Sequence, residues 1–195
     1  MHQKKDIQPA LFDMAAIKAQ QLAIAFMLKN EIHNQSVLLP TLTCLYASHE
    51  LTKKNIPHQI KAGSCFWRVN PCDSDKSILS TIYDTSHPTA MGAWIECHNM
   101  IFDPSIGVAI TYHDGPVAWK PNYLLIHRDD TQSLEDVSMY GSGSVHYAPC
   151  DHATEQLLIA KQAFESHLAL PKNLPTKTLI NWQAFSLPSF PYAPC

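Results

Sequence analysis

The sequence predicts a single α+β domain, with helices packed on a mostly antiparallel sheet, and three observations carry that prediction. Long segments with apolar residues at helical spacing stand near both ends of the chain, after Pro9 and after Asp151. Between them lie short apolar runs punctuated by Gly, Pro, Asn and Asp, as strands and turns are. The chain has 195 residues, 46% of them hydrophobic and 16% charged, enough to bury a core without staples.

The first segment starts at Pro9, whose fixed φ suits the first helical position, and is expected to run to about Glu31. Leu11, Met14, Ile17, Leu22, Ala25 and Leu28 recur at helical spacing and are expected to face the core. Pro40 is expected to break the chain, so that a second helix begins at Thr41 or Thr43 and ends near Leu51. Cys44 then falls in a first helical turn, where free N–H groups and the positive end of the helix dipole favour a thiolate.

A strand follows from Gln59 to Val69, with Gly63 marking a bulge or a change of register. Its run Gly63-Ser64-Cys65-Phe66-Trp67 superficially resembles the nucleophile region of papain-like proteases and makes Cys65 a second candidate nucleophile, although Pro71 rules out the helix that such a nucleophile opens. Ile78–Tyr83, Gly107–Tyr112 and Tyr123–His127 read as further strands. Ser133 is a cap for a short helix through Tyr140, ended by the loop Gly141-Ser142-Gly143, which lacks the lysine of a phosphate-binding loop. Asp151 caps a last helix to about Leu170, with Leu157, Leu158, Lys161, Ala163, Phe164 and Leu168 as its packed stripe. The proline-rich tail from Pro171 reads as an extended arm over the same domain.

The most informative stretch is Gly92 to Ser105. Two apolar runs meet at His98-Asn99 and the second closes on Asp103-Pro104, the pattern of a β-hairpin. Alternation puts Ala93, Ile95 and Cys97 on one face and Trp94, Glu96 and His98 on the other. A two-residue turn sets Trp94 opposite Asp103. Position 92 becomes the diagonal neighbour of Asp103, roughly 7–8 Å away at Cα. An imidazole there would be oriented by the carboxylate; the residue is glycine.

Composition excludes some classes of function. A net charge of −3 with no basic block gives no footprint for nucleic acid. No uninterrupted apolar run approaches the ~20 residues of a membrane span, and the start His2-Gln3-Lys4-Lys5-Asp6 is not that of a signal peptide. The six cysteines include no C-x-x-C pair, so reduced thiols in the cytoplasm are expected. His146, Cys150 and His152, with Cys97-His98, are metal-capable but lack the paired spacing of a structural zinc site; no metal and no cofactor is expected.

A helix-opening cysteine, then a strand, then a hairpin closing in Asp-Pro-Ser resembles the transglutaminase-like branch of the papain-like cysteine protease superfamily. The matching residues are Cys44, Leu51-x4-Ile56-Pro57 entering a strand, Ala93-Trp94-Ile95-Glu96, and Phe102-Asp103-Pro104-Ser105. The family counterparts are a helix carrying the nucleophile, a "GIPAR"-like strand entry, an "H-A-W-x-E" strand and a "D-P-T/S" close. The resemblance spans roughly residues 40 to 105 and implies a papain-like, transglutaminase-like core.

In that chemistry a thiolate attacks an amide or ester carbonyl, a histidine carries the proton and an aspartate holds the imidazole tautomer. The resemblance makes Cys44 the nucleophile and Asp103 the orienting acid, with Trp94 and Glu96 lining or bracing the site. The motif histidine is replaced by Gly92. His87 is the nearest preceding histidine, five residues or roughly 16 Å away along an extended chain, and would serve if its loop folds back. His113 and His146 are alternatives from other segments, and His98 lies at the far, turn end of the hairpin. Two functions are therefore expected: a cysteine-dependent hydrolase or acyl transferase acting on a peptide or small amide or ester substrate, or a catalytically degenerate relative that binds a peptide or small molecule in the same cleft. The sequence sets no oligomeric state.

Overall fold

The computed structural model describes residues 9–29, 35–69, 78–83, 92–106, 122–127, 136–139 and 143–168. Among them are three helices, α1 (Pro9–Lys29), α2 (Gln35–Lys53) and α3 (Asp151–Leu168). Seven strands complete the set: β1 (Gln59–Val69), β2 (Ile78–Tyr83), β3 (Gly92–Cys97), β4 (Met100–Asp103), β5 (Leu124–His127), β6 (Asp136–Met139) and β7 (Gly143–Pro149). Every pairing is antiparallel, in the order β5-β4-β3-β1-β7-β6, with β2 joined to β1. This is an α+β architecture. The expected strand Gly107–Tyr112 and the C-terminal arm lie outside the described residues.

β1 organises the sheet. Its first half pairs with β3, ending at Gly63↔Gly92, and its second half pairs with β7, beginning at Gly63↔Pro149. Gly63 is where the two ladders meet, and a Cβ there would run into the carbonyl oxygen of Ala148. Glycine is required for that close approach. The register irregularity lies two residues on, between Cys65 and Phe66 in the β1–β2 ladder.

The hairpin has the expected register. Ile95↔Phe102, Glu96↔Ile101 and Cys97↔Met100 are partners around the turn His98-Asn99, with His98 in the left-handed region at φ 53°. Continuing that ladder by one step sets Trp94 opposite Asp103. Ala93, Ile95, Cys97, Met100 and Phe102 join Ile60 and Ala62 in the core beneath the helices. Trp94, Ile101 and Asp103 are buried too, on the other face.

The helices differ from expectation in instructive ways. α1 buries Phe12, Ala15, Ala16, Ala19, Ala23, Phe26 and Met27, whereas Met14, Ile17, Ala25 and Leu28 of the expected stripe are exposed. The helix is apolar on two sides, and the alanine-rich side is the one that packs on α2. Small side chains at a helix contact let the axes come close. Gln20 fixes its orientation, donating from Nε2 to the Pro104 carbonyl at 2.7 Å and the Asn122 carbonyl at 2.8 Å.

α2 starts six residues before Thr41 and continues through Pro40. Proline removes one i→i−4 bond and crowds the preceding turn, but the buried run from Leu39 to Ser48 holds the segment helical. Thr43 is thus not a cap; its hydroxyl donates back to the Leu39 carbonyl at 2.7 Å. The C-terminus is a Schellman motif. Asn55 N–H bonds to Thr52 O at 2.9 Å and Ile56 N–H to Leu51 O at 3.0 Å, with Asn55 left-handed at φ 55°.

The segment expected to be a helix after Ser133 is instead strand β6 from Asp136 to Met139, and β7 begins at Gly143, the last residue of the expected loop. β6 pairs with β7 from Asp136↔His146 to Met139↔Gly143, and this hairpin ladder overrides the cap signal at Ser133. α3 leaves β7 through Cys150, whose N–H donates to the Ala62 carbonyl at 2.9 Å. Ala153, Leu157 and Phe164 are its buried residues; Leu158, Ala163 and Leu168 of the expected stripe are exposed.

Candidate functional site

Asp103 is the centre of the only part of the motif that the fold assembles among the described residues. At 3% exposure its carboxylate accepts from the Ser105 N–H and the Ser105 hydroxyl through Oδ1, each at 2.8 Å. The first of these is an Asx-turn, which gives the Asp-Pro-Ser close a structural reason of its own. Oδ2 accepts from the Tyr147 hydroxyl at 2.8 Å, reaching across from β7. Burial pushes the Asp103 carboxyl above its ordinary range, against the donors from Ser105, Tyr147 and the Ile106 backbone, which favour the charged form.

Trp94 packs its indole on the Tyr147 ring, with centroids 5.0 Å apart and planes at 51°. Both side chains are essentially inaccessible, so Trp94 does not line an open surface but holds Tyr147 against the carboxylate. Gly92 is buried at the start of β3, opposite Gly63. Glu96 lies four residues further toward the turn and is half-buried.

Cys44 is fully buried and free. It is the tenth residue of α2, so the free N–H groups of a helix start, expected to activate it, are two turns away. Burial pushes its thiol far above the ordinary range, and the nearby negative charge of Asp103 adds to this while Lys161 opposes it. Cys65, on β1 opposite Tyr147, is likewise buried and raised, first by burial and then by Asp103. The negative charge of Asp103 thus opposes ionisation of both thiols and makes each a poorer nucleophile.

No histidine among the described side chains enters this cluster. His87 and His113 lie outside the described residues; His146 is in β7, paired with Phe66 and Asp136; His98 is exposed at the hairpin turn. Nor does any group of three or more His, Cys, Asp or Glu among the described residues have a geometry that would hold a metal ion.

Two features were not foreseen. Tyr147 lies in β7, for which the sequence raises no expectation, and no local signal marks it as the partner of Asp103. Ser48, one turn beyond Cys44 and fully buried, lies 2.7 Å from His58 Nε2, while His58 Nδ1 lies 2.8 Å from the Ile56 carbonyl. A carbonyl only accepts, so Nδ1 carries the proton and neutral Nε2 accepts from Ser48. The pair has the outline of a nucleophile and its base, but with no carboxylate on Nδ1 and no access to Ser48 it serves to pin α2 to the loop before β1.

The cysteines are not uniform. Cys44, Cys65 and Cys97 are free and buried, whereas Cys150 is disulfide-bonded, against the expectation of reduced thiols throughout. α1 is long and apolar enough to cross a membrane by length and composition alone, though its alanine-rich side is packed into the core. Comparison with protein-family models, with curated proteins and with solved structures found no match.

Proposed function

We propose that this chain is a transglutaminase-like domain that has given up nucleophilic catalysis and acts by binding, with a peptide or small amide as the class of ligand. The observation that carries this reading is the Tyr147–Asp103 hydrogen bond, in which the acceptor that would orient an imidazole is taken by a phenol. The order of helix, strand and Asp-closed hairpin supports the reading. What catalysis needs is reversed: the thiol is buried in mid-helix, its proton is held more tightly, and position 92 has no side chain.

Alkylation by iodoacetamide, read per residue by mass spectrometry on the folded protein, tests this. Cys44 labelling far slower than in the denatured chain supports the proposal. Rapid labelling of Cys44 at near-neutral pH overturns it in favour of a cysteine hydrolase or acyl transferase. A cytoplasmic setting is part of the same proposal, and the Cys150 disulfide is its check, since structural disulfides persist mainly in oxidising compartments.

A further inference from the structure

Among the described residues, α1 carries four of the seven exposed large hydrophobic side chains. Met14 and Leu28 are each 67% exposed, Ile17 46% and Ile24 45%, with Gln21 exposed between them. Positions 14, 17, 21, 24 and 28 follow one another at intervals of three, four, three and four. This is the a/d seam of two heptads, with Met14, Gln21 and Leu28 at a and Ile17 and Ile24 at d. At 100° per residue the seam lies almost opposite the buried side centred on Ala19. The helix thus has one face made of small residues for its own domain and another made of large ones for something else.

We propose that the partner is a second copy of this chain, joined through a parallel, in-register α1–α1′ coiled coil about a two-fold axis. Three features of the seam favour this occupant. The 3.5-residue period is the one that keeps a seam facing another helix. The lone polar residue is at an a position, where Gln21 meets Gln21 of the other copy and fixes register at some cost in stability. Asp13 at g and Lys18 at the following e are oppositely charged and exposed, the g-to-e′ pairing of parallel coils. Lys18 already donates to Glu50 at 2.7 Å, but its ammonium has further donors for a second carboxylate. A bilayer fits less well, because membrane-surface helices flank their apolar face with several cations, and here only Lys18 and Lys29 are present.

Sedimentation equilibrium of the full chain over a hundredfold concentration range tests the proposal. A mass rising toward two chains supports it, and so does its return to one chain in the Ile17→Glu/Ile24→Glu variant with an unchanged circular dichroism spectrum. Should that double variant fail to fold, Met14→Cys reports independently. In a parallel register the introduced thiol faces its symmetry mate, so oxidation gives a covalent dimer, while Gln162→Cys on exposed α3 gives none. A wild-type chain that stays monomeric throughout overturns the proposal, as does a dimer that Met14→Cys cannot cross-link. Co-sedimentation with anionic vesicles that is lost in the Ile17→Glu/Ile24→Glu variant, without any dimer in solution, overturns it in favour of a membrane surface.

Discussion

The Tyr147 hydroxyl donates to Asp103 Oδ2 at 2.8 Å, joining β7 to the end of β4 across the face of the sheet turned away from the helices. The register explains why this bond forms. Trp94 stands opposite Asp103 in the β3–β4 hairpin, Gly63 joins β3 and β7 to the same point of β1, and Cys65↔Tyr147 then sets the phenol beside the indole. An imidazole at position 92 would compete for the same acceptor.

Removing the phenol hydroxyl in Tyr147→Phe leaves a buried carboxylate oxygen without its donor, so a loss of about 1–3 kcal/mol is expected in urea unfolding. Asp103→Asn in the same background should recover part of that loss. The pH dependence has a definite sign. A carboxyl whose folded pKa lies above its unfolded value, here 3.8, contributes stability that is complete below that value and is lost as pH rises through the folded pKa. Tyr147→Phe removes support for the charged form and should extend this loss to higher pH; Asp103→Asn should abolish it.

The frame and its defect are separable by adding back the missing group. Gly92→His alone puts an imidazole beside a carboxylate already engaged by Ser105 and Tyr147, and little change in Cys44 or Cys65 labelling is expected. Gly92→His with Tyr147→Phe frees Oδ2 to accept from the ring. The double variant should alkylate faster than either single variant at Cys65, which shares that face of the sheet with Tyr147, while Cys44 stays slow in the core on the helix side. Equal rates in all three, with the fold intact by circular dichroism, would mean that position 92 does not point at Asp103 and that the resemblance does not extend to the site.

The hairpin was legible in the sequence because every cue is local: alternation, a two-residue turn and an Asp-Pro close, all within Gly92–Ser105. The bounds of β1 and β2 were legible for the same reason. The packed face of α1 is not legible in the sequence, because two apolar stripes coexist and the packing uses the alanines rather than the larger residues. The start of α2 was misread because Pro40 ordinarily ends a helix, and only burial of Leu39–Ser48 shows why it does not. Tyr147 could not be found at all. Its contact with Asp103 spans 44 residues and depends on the β1–β7 ladder, which no periodicity in β7 announces.

His58 should make stability fall on mild acidification. Burial lowers its pKa from 6.5, with Lys161 adding to the effect and the Ile56 carbonyl and Glu165 opposing it. The unfolded chain then binds the extra proton first, so the contribution of His58 is complete above 6.5 and is lost as pH falls through the folded pKa. His58→Gln should flatten that part of the profile, leaving the smaller slope of His49, which is lowered in the same direction. Ser48→Ala leaves Nε2 without its donor and should cost about 1 kcal/mol at neutral pH. A profile unchanged by His58→Gln between about pH 5 and 7 would contradict the assignment of a neutral ring with its proton on Nδ1.

Cys150 is disulfide-bonded at the β7–α3 junction, where its N–H donates to the Ala62 carbonyl. A cross-link acts chiefly by restricting the unfolded chain, so reduction should lower stability by about 2–4 kcal/mol without unfolding the sheet. Thiol titration of the unreduced, denatured protein is the direct measurement. With one such bond among the six cysteines, four thiols should react, rising to six after reduction. Six before reduction would remove the disulfide and favour a reducing compartment. Protein taken directly from cells with thiols blocked at lysis carries the same measurement into its native setting: four reactive thiols there would place the chain in an oxidising compartment and overturn the cytoplasmic part of the proposal.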